Sequence, residues 1–145
     1  MANLVPYQFP VELLSGTHDF ASDTFKLALY TSSPYTTAST VYDTANETTG
    51  TEYSAGGNTL TGNAVSNSAN YATVDFTDSV WGSPTPATFS AAFGTIYNSS
   101  ATNKLVVILD FGGTKSCSNG TFTITFPSTS SGTPAGTDSL ISISS

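Results

Sequence analysis

The sequence has no arginine and only three lysines, one histidine and one cysteine among 145 residues. Each scarcity excludes something. With ten carboxylates against three lysines the formal charge is -7, so no basic stripe for a phosphate backbone can form and nucleic acid is set aside as a partner. A lone Cys117 excludes an internal disulfide, which leaves packing and backbone hydrogen bonds to hold the fold. Charged residues make up 9% of the chain where about 25% is usual, so the surface has to be built from hydroxyls and amides. No apolar run approaches the roughly 20 residues of a membrane span. The segment Met1-Ala2-Asn3-Leu4-Val5-Pro6 has neither a basic region nor an apolar stretch of the secretory kind, so the expectation is synthesis in the cytoplasm without a membrane partner.

Large rings are plentiful: nine Phe, seven Tyr and one Trp within a 38% hydrophobic chain. Rings of that size remove much apolar surface from water when buried, which argues for an ordered core. The length suits one domain, residues 1–145, with residues 1–20 readable as an N-terminal arm.

Period-two alternation is the dominant pattern. Thr24 to Thr31 puts Phe25, Leu27 and Leu29 on one face, and Thr121 to Phe126 puts Phe122, Ile124 and Phe126 inward with three Thr outward. Tyr71 to Phe76 alternates likewise. Lys104 to Phe111 contains the unbroken run Leu105-Val106-Val107-Ile108-Leu109, the mark of a strand covered on both faces, and is expected to be central. Weaker strands are expected at Thr40 to Tyr42, Thr59 to Val65, Val80-Trp81, Phe89 to Tyr97 and Leu140 to Ile143. One short helix is expected over Pro10 to Gly16, with Pro in the first turn and Gly to end it. Ser32 to Gly57 and Ser128 to Asp138, rich in turn formers, read as surface loops. The fold class is therefore all-β: an antiparallel β-sandwich of jelly-roll or immunoglobulin-like type, with one short N-terminal helix and long surface loops.

Chemistry-bearing patterns are weak. His18, Asp19 and Asp23 fit no metal loop and are read as turn caps, as are Asp75 and Asp78. Asp110-Phe111-Gly112 echoes a kinase magnesium motif without its companion motifs. Gly112-Gly113 is read as a sharp exit from a strand, and Asn119-Gly120 as a positive-φ turn. Cys117 and His18 lie far apart in sequence, and no pair of acids has a local signature. The expectation is no catalytic residue, no cofactor and no metal. Trp81 is assigned to the core. Tyr35, Tyr53 and Tyr42, which combine an apolar ring with a polar edge, are the interface candidates.

Several stretches carry a resemblance. Leu13-Leu14-Ser15-Gly16-Thr17-His18-Asp19-Phe20, then Asp23 to Thr31, Glu52-Tyr53-Ser54-Ala55-Gly56-Gly57, Phe76-Thr77-Asp78 with Trp81, Ile96-Tyr97-Asn98, Leu109 to Gly113 and Asn119 to Ile124 together resemble small structural proteins of tailed bacteriophages, of marine and cyanobacterial type. The resemblance covers most of the chain and rests on strand and turn motifs. It implies a virion protein on the capsid exterior that decorates and cements the shell. Its partner would be the major capsid protein, and the chain itself a homo-oligomer, with a trimer favoured. The alternative is a tail or head-appendage module that binds host-surface glycans.

Overall fold

The computed structural model describes residues 3–68, 71–126 and 141–144. Strands make up 46% of the structure and the sheets are antiparallel, with one short helix, as the alternation requires. In chain order the elements are α1 (Gln8–Leu14), β1 (Phe25–Tyr30), β2 (Asn58–Thr59), β3 (Ala64–Ser68), β4 (Tyr71–Asp75), β5 (Ser79–Trp81), β6 (Ala87–Asn98), β7 (Lys104–Gly120), β8 (Phe122–Ile124) and β9 (Ile141–Ser144). They form a four-stranded sheet β2-β1-β6-β7, a three-stranded sheet β3-β4-β9 and a two-stranded sheet β5-β8. The two-stranded piece continues the β6–β7 ladder around a corner: Trp81 stands opposite Phe122, and Ala87 opposite Gly120.

The core lies against the four-stranded sheet. Phe25, Leu27 and Leu29 are essentially fully buried, and Phe25 stacks on Phe20 with ring centroids 4.6 Å apart. Trp81, also in the core as expected, packs between Tyr53, Phe89 and Phe122. Phe122 and Phe126 are buried and Ile124 half-buried, while Thr121, Thr123 and Thr125 face out. Gly57 has φ +69°, and a Cβ there would lie 1.8 Å from the Leu27 carbonyl oxygen, so only glycine lets β2 approach β1.

The run 104–111 occupies the edge of its sheet rather than the centre. Both of its faces are covered, as the unbroken apolar run requires, since Leu105 to Ile108 are all buried. Its outer edge is closed by irregular chain: Leu4 and Ile108 exchange both backbone hydrogen bonds at 2.8 Å, and the Leu105 amide donates to the Thr40 carbonyl at 3.0 Å. Burial of the two faces is legible in a sequence, whereas coverage of an edge is not. Nor does the chain leave the strand at Gly112-Gly113. Asp110 pairs with Phe93 and Lys115 with Ala91, so residues 111–114 bulge opposite Ala92 and β7 runs on to Gly120.

Other expectations are adjusted locally. Thr59 to Val65 splits into β2 and β3 around Gly62, at φ +66°. Thr40 to Tyr42 contributes a single bridge, Val41 to Lys104. The expected loop 128–138 and Leu140 lie outside the described residues, although Ile141 to Ser144 pair with β4.

Candidate functional site

Helix α1 is ended as the Pro/Gly placement predicts. Gly16 adopts φ +75°, its amide donates to the Leu13 carbonyl, and the Thr17 amide donates to the Glu12 carbonyl, the paired bonds of a Schellman motif. What the helix buries is unexpected. Phe9 and Glu12 point inward, whereas Tyr7, Val11 and Leu14, spaced to share one side, are 72%, 59% and 90% exposed. Val5, in the segment leading into the helix, is also 50% exposed. Phe9 and the half-buried Leu13 join the core in the ordinary way, but a charged residue is buried beside them while three apolar side chains of the same segment stay in solvent. Tyr7, Val11 and Leu14 thus leave an apolar face of the helix in solvent.

The inward Glu12 is accommodated by a polar network. Its Oε1 lies 2.9 Å from Lys104 Nζ, at the start of β7, and its Oε2 lies 3.2 Å from His18 Nε2. The other ring nitrogen of His18, Nδ1, lies 3.2 Å from Asn98 Nδ2, at the end of β6. Asn98 Nδ2 also donates to Asp23 Oδ2 at 2.7 Å, and Asn98 Oδ1 accepts the amides of Ser100 and Ala101. The His18 side chain has no solvent exposure. Burial pushes its pKa below the ordinary 6.5, against the upward pull of Glu12. The N-terminal segment is thereby fastened to the end of β6 and the start of β7.

A second network holds the 31–57 loop. Glu47 accepts hydrogen bonds from the Tyr42 hydroxyl, the Tyr53 hydroxyl at 2.8 Å and the Gly56 amide at 2.7 Å. The Tyr30 and Tyr35 hydroxyls meet at 2.7 Å, and Tyr30 donates to the Asp43 carbonyl. Tyr42 stacks on Tyr97 with centroids 4.6 Å apart, and Tyr97 donates to the Gly56 carbonyl. Desolvation is the leading cause that raises the pKa of Tyr30, Tyr35, Tyr42, Tyr53 and Tyr97. Of the three interface candidates, Tyr35 is therefore buried, while Tyr53 and Tyr42 are half-buried, their hydroxyls engaged within the chain. The exposed Tyr7 was not among those candidates. Ring counting cannot distinguish a loop tyrosine turned inward from one turned out.

The remaining sequence candidates separate. Asp19 caps a turn through the Ala21 amide and the Ser22 hydroxyl, and Asp75 and Asp78 accept the amides of Phe76 and Phe126. Among the described residues no three His, Cys, Asp or Glu side chains gather as a metal site. Cys117 lies on β7 opposite Phe89, and both nitrogens of His18 face Glu12 and Asn98 instead. An open groove of about 810 Å³ runs between β7 and β8, lined by Val5, Leu109, Phe111, Ile124 and the outward threonines. Comparison with family models, with curated proteins and with solved structures finds no match to this chain.

Proposed function

We propose that this chain is a structural protein of a tailed-phage virion, one that decorates the exterior of the capsid and stabilises it by binding assembled capsid subunits, without catalysis. The observation that carries the reading is the outer face of the helix: Tyr7, Val11 and Leu14 are turned to solvent while Glu12 and His18 are anchored underneath. A buried polar network is a costly way to fix a seven-residue helix unless the orientation of its outer face matters. The resemblance of the strand and turn motifs to phage structural proteins supplies the partner, the major capsid protein. In this reading the sheets pack as an open sandwich, and copies of the chain, as trimers, occupy equivalent positions on the shell.

The mechanism is binding. A decoration subunit that engages only the assembled lattice stabilises it by mass action, and many modest contacts on a closed shell add up through multivalency. With few charges to contribute, the contact is apolar and hydrogen-bonded and responds weakly to salt.

The test is to mix the purified protein with assembled heads and measure occupancy and heat resistance. Labelling is expected over the whole head, with heat resistance rising until sites fill. Leu14→Ser and Val11→Ser should lower occupancy while leaving the thermal unfolding of the isolated protein nearly unchanged. Heads equally stable with and without the protein, or labelling confined to the tail, would overturn the decoration role and favour glycan binding by an appendage.

A further inference from the structure

His18 sits where the N-terminal segment meets the sheet, and its surroundings accept only one protonation state. We propose that His18 is an acid-released latch: a second proton on its ring frees α1 and the connection 17–24 from the ends of β6 and β7 while the rest of the fold persists. The inference is independent of any capsid role.

The argument starts from Asn98. Its Oδ1 is occupied by the amides of Ser100, at 3.0 Å, and Ala101, at 3.1 Å, so the side chain cannot turn over. It therefore offers its Nδ2 group to His18, 3.2 Å from Nδ1, and the same nitrogen donates to Asp23. Nδ1 must accept that bond, and the single ring proton lies on Nε2, directed at Glu12. A second proton would land on Nδ1 and set two donors against each other inside a site with no solvent exposure of the ring.

The carboxylates nearby do not cancel this conflict. From α1, Glu12 faces the ring, but its other oxygen is matched by Lys104 of β7 at 2.9 Å. From the connection, Asp23 is engaged by Asn98 and by the Asp19 amide, and Asp19 is itself exposed and bound to Ala21 and Ser22. The remaining walls are the Phe9, Phe20 and Phe25 rings, with centroids 5.3 to 6.5 Å from the imidazole, which cannot solvate a cation as water does.

The sign follows. The folded pKa lies below the ordinary 6.5, so the neutral ring's contribution is complete above that value and is lost as the pH falls through the folded value. Release is local because the network joins only the N-terminal segment to strand ends, whereas β1, β6 and β7 are held by their own ladders.

Hydrogen exchange of the intact chain at about pH 7.5 and about pH 5, corrected for intrinsic rates, reads the latch directly. Amides of 9–24 should lose roughly tenfold or more of their protection at the lower pH, those of β6 should not, and in His18→Gln the pH dependence should vanish. Equal protection of 9–24 at both values in the wild type, or the same loss in His18→Gln, would overturn the proposal. Should His18→Gln fail to fold, imidazole nitrogen shifts of the wild type decide: a neutral ring protonated on Nε2 at neutral pH supports the latch, and a charged ring refutes it.

Discussion

The Tyr53 hydroxyl accepts the Leu29 amide at 2.8 Å and donates to Glu47 Oε1 at the same distance, so one loop tyrosine ties the middle of β1 to the carboxylate that organises residues 42–56. Removing that carboxylate leaves two tyrosine hydroxyls and the Gly56 amide without their acceptor. Glu47→Ala is expected to destabilise by about 1–3 kcal/mol, the desolvation cost of stranded donors, which should appear as a lower midpoint in chemical denaturation. An unchanged midpoint would mean that water replaces the carboxylate at no cost.

The same cluster sets an alkaline limit. Burial first, then the charges of Glu47 and Tyr35, push Tyr97 up to about 12, and Tyr30, Tyr42 and Tyr53 are also raised, with desolvation as the leading cause. The folded state keeps protons that an unfolded chain releases above about pH 10, so stability is full below that value and falls as the pH rises through the folded pKa. Tyrosinate absorbance and loss of β-sheet circular dichroism should therefore rise together in one transition. A gradual titration near the ordinary value with the sheet intact would contradict the burial of these hydroxyls.

Leu27 is fully buried, whereas Leu109, in the same sheet, borders the open groove and is half-buried. Leu27→Ala should cost about 2–5 kcal/mol through lost transfer energy and a cavity, and Leu109→Ala distinctly less, since water already reaches its site. Equal losses, measured by urea denaturation, would show that the groove is closed in solution.

Thr95 has no solvent exposure, and its hydroxyl has no hydrogen-bond partner among the described residues. Thr95→Val keeps the shape and removes the orphaned group, so the variant is expected to be more stable by about 1 kcal/mol. A less stable variant, measured by thermal unfolding, would reveal a bond to the hydroxyl.

The parts of this architecture that were legible in the sequence are those dictated by one face at a time. Alternation located β1 and β8 because Phe25, Leu27 and Leu29, and likewise Phe122 and Phe126, share one buried side; that Ala28 and Tyr30 bury the other face of β1 as well was not legible from it. The helix end at Gly16 was legible because only a residue free to adopt positive φ closes it cheaply. Properties that depend on partners outside the element itself were not. The edge of β7 is covered by Leu4 and Thr40, far away in sequence, so a run buried on both faces passed for a central strand. Tyr35 turned inward because Tyr30 and Asp43 offered its hydroxyl partners. Glu12 could be buried only because Lys104 and His18, 92 and six residues away, meet it there.

The order of pairing in the main sheet bears on how the chain is made. β1 is bordered by the two-residue β2 on one side and on the other by β6, whose paired residues run from Phe93 to Asn98. During synthesis the segment Phe25-Lys26-Leu27-Ala28-Leu29-Tyr30 leaves the ribosome long before that partner exists, and an apolar strand without a neighbour is prone to pair with other chains. Lys26 interrupts the run at its second position, and in the finished fold it is only partly buried on the face opposite Phe25 and Leu27. Lys26 is thus the single charge in a nascent apolar strand whose mate lies some sixty residues further on, the kind of position where a charge discourages pairing with other chains.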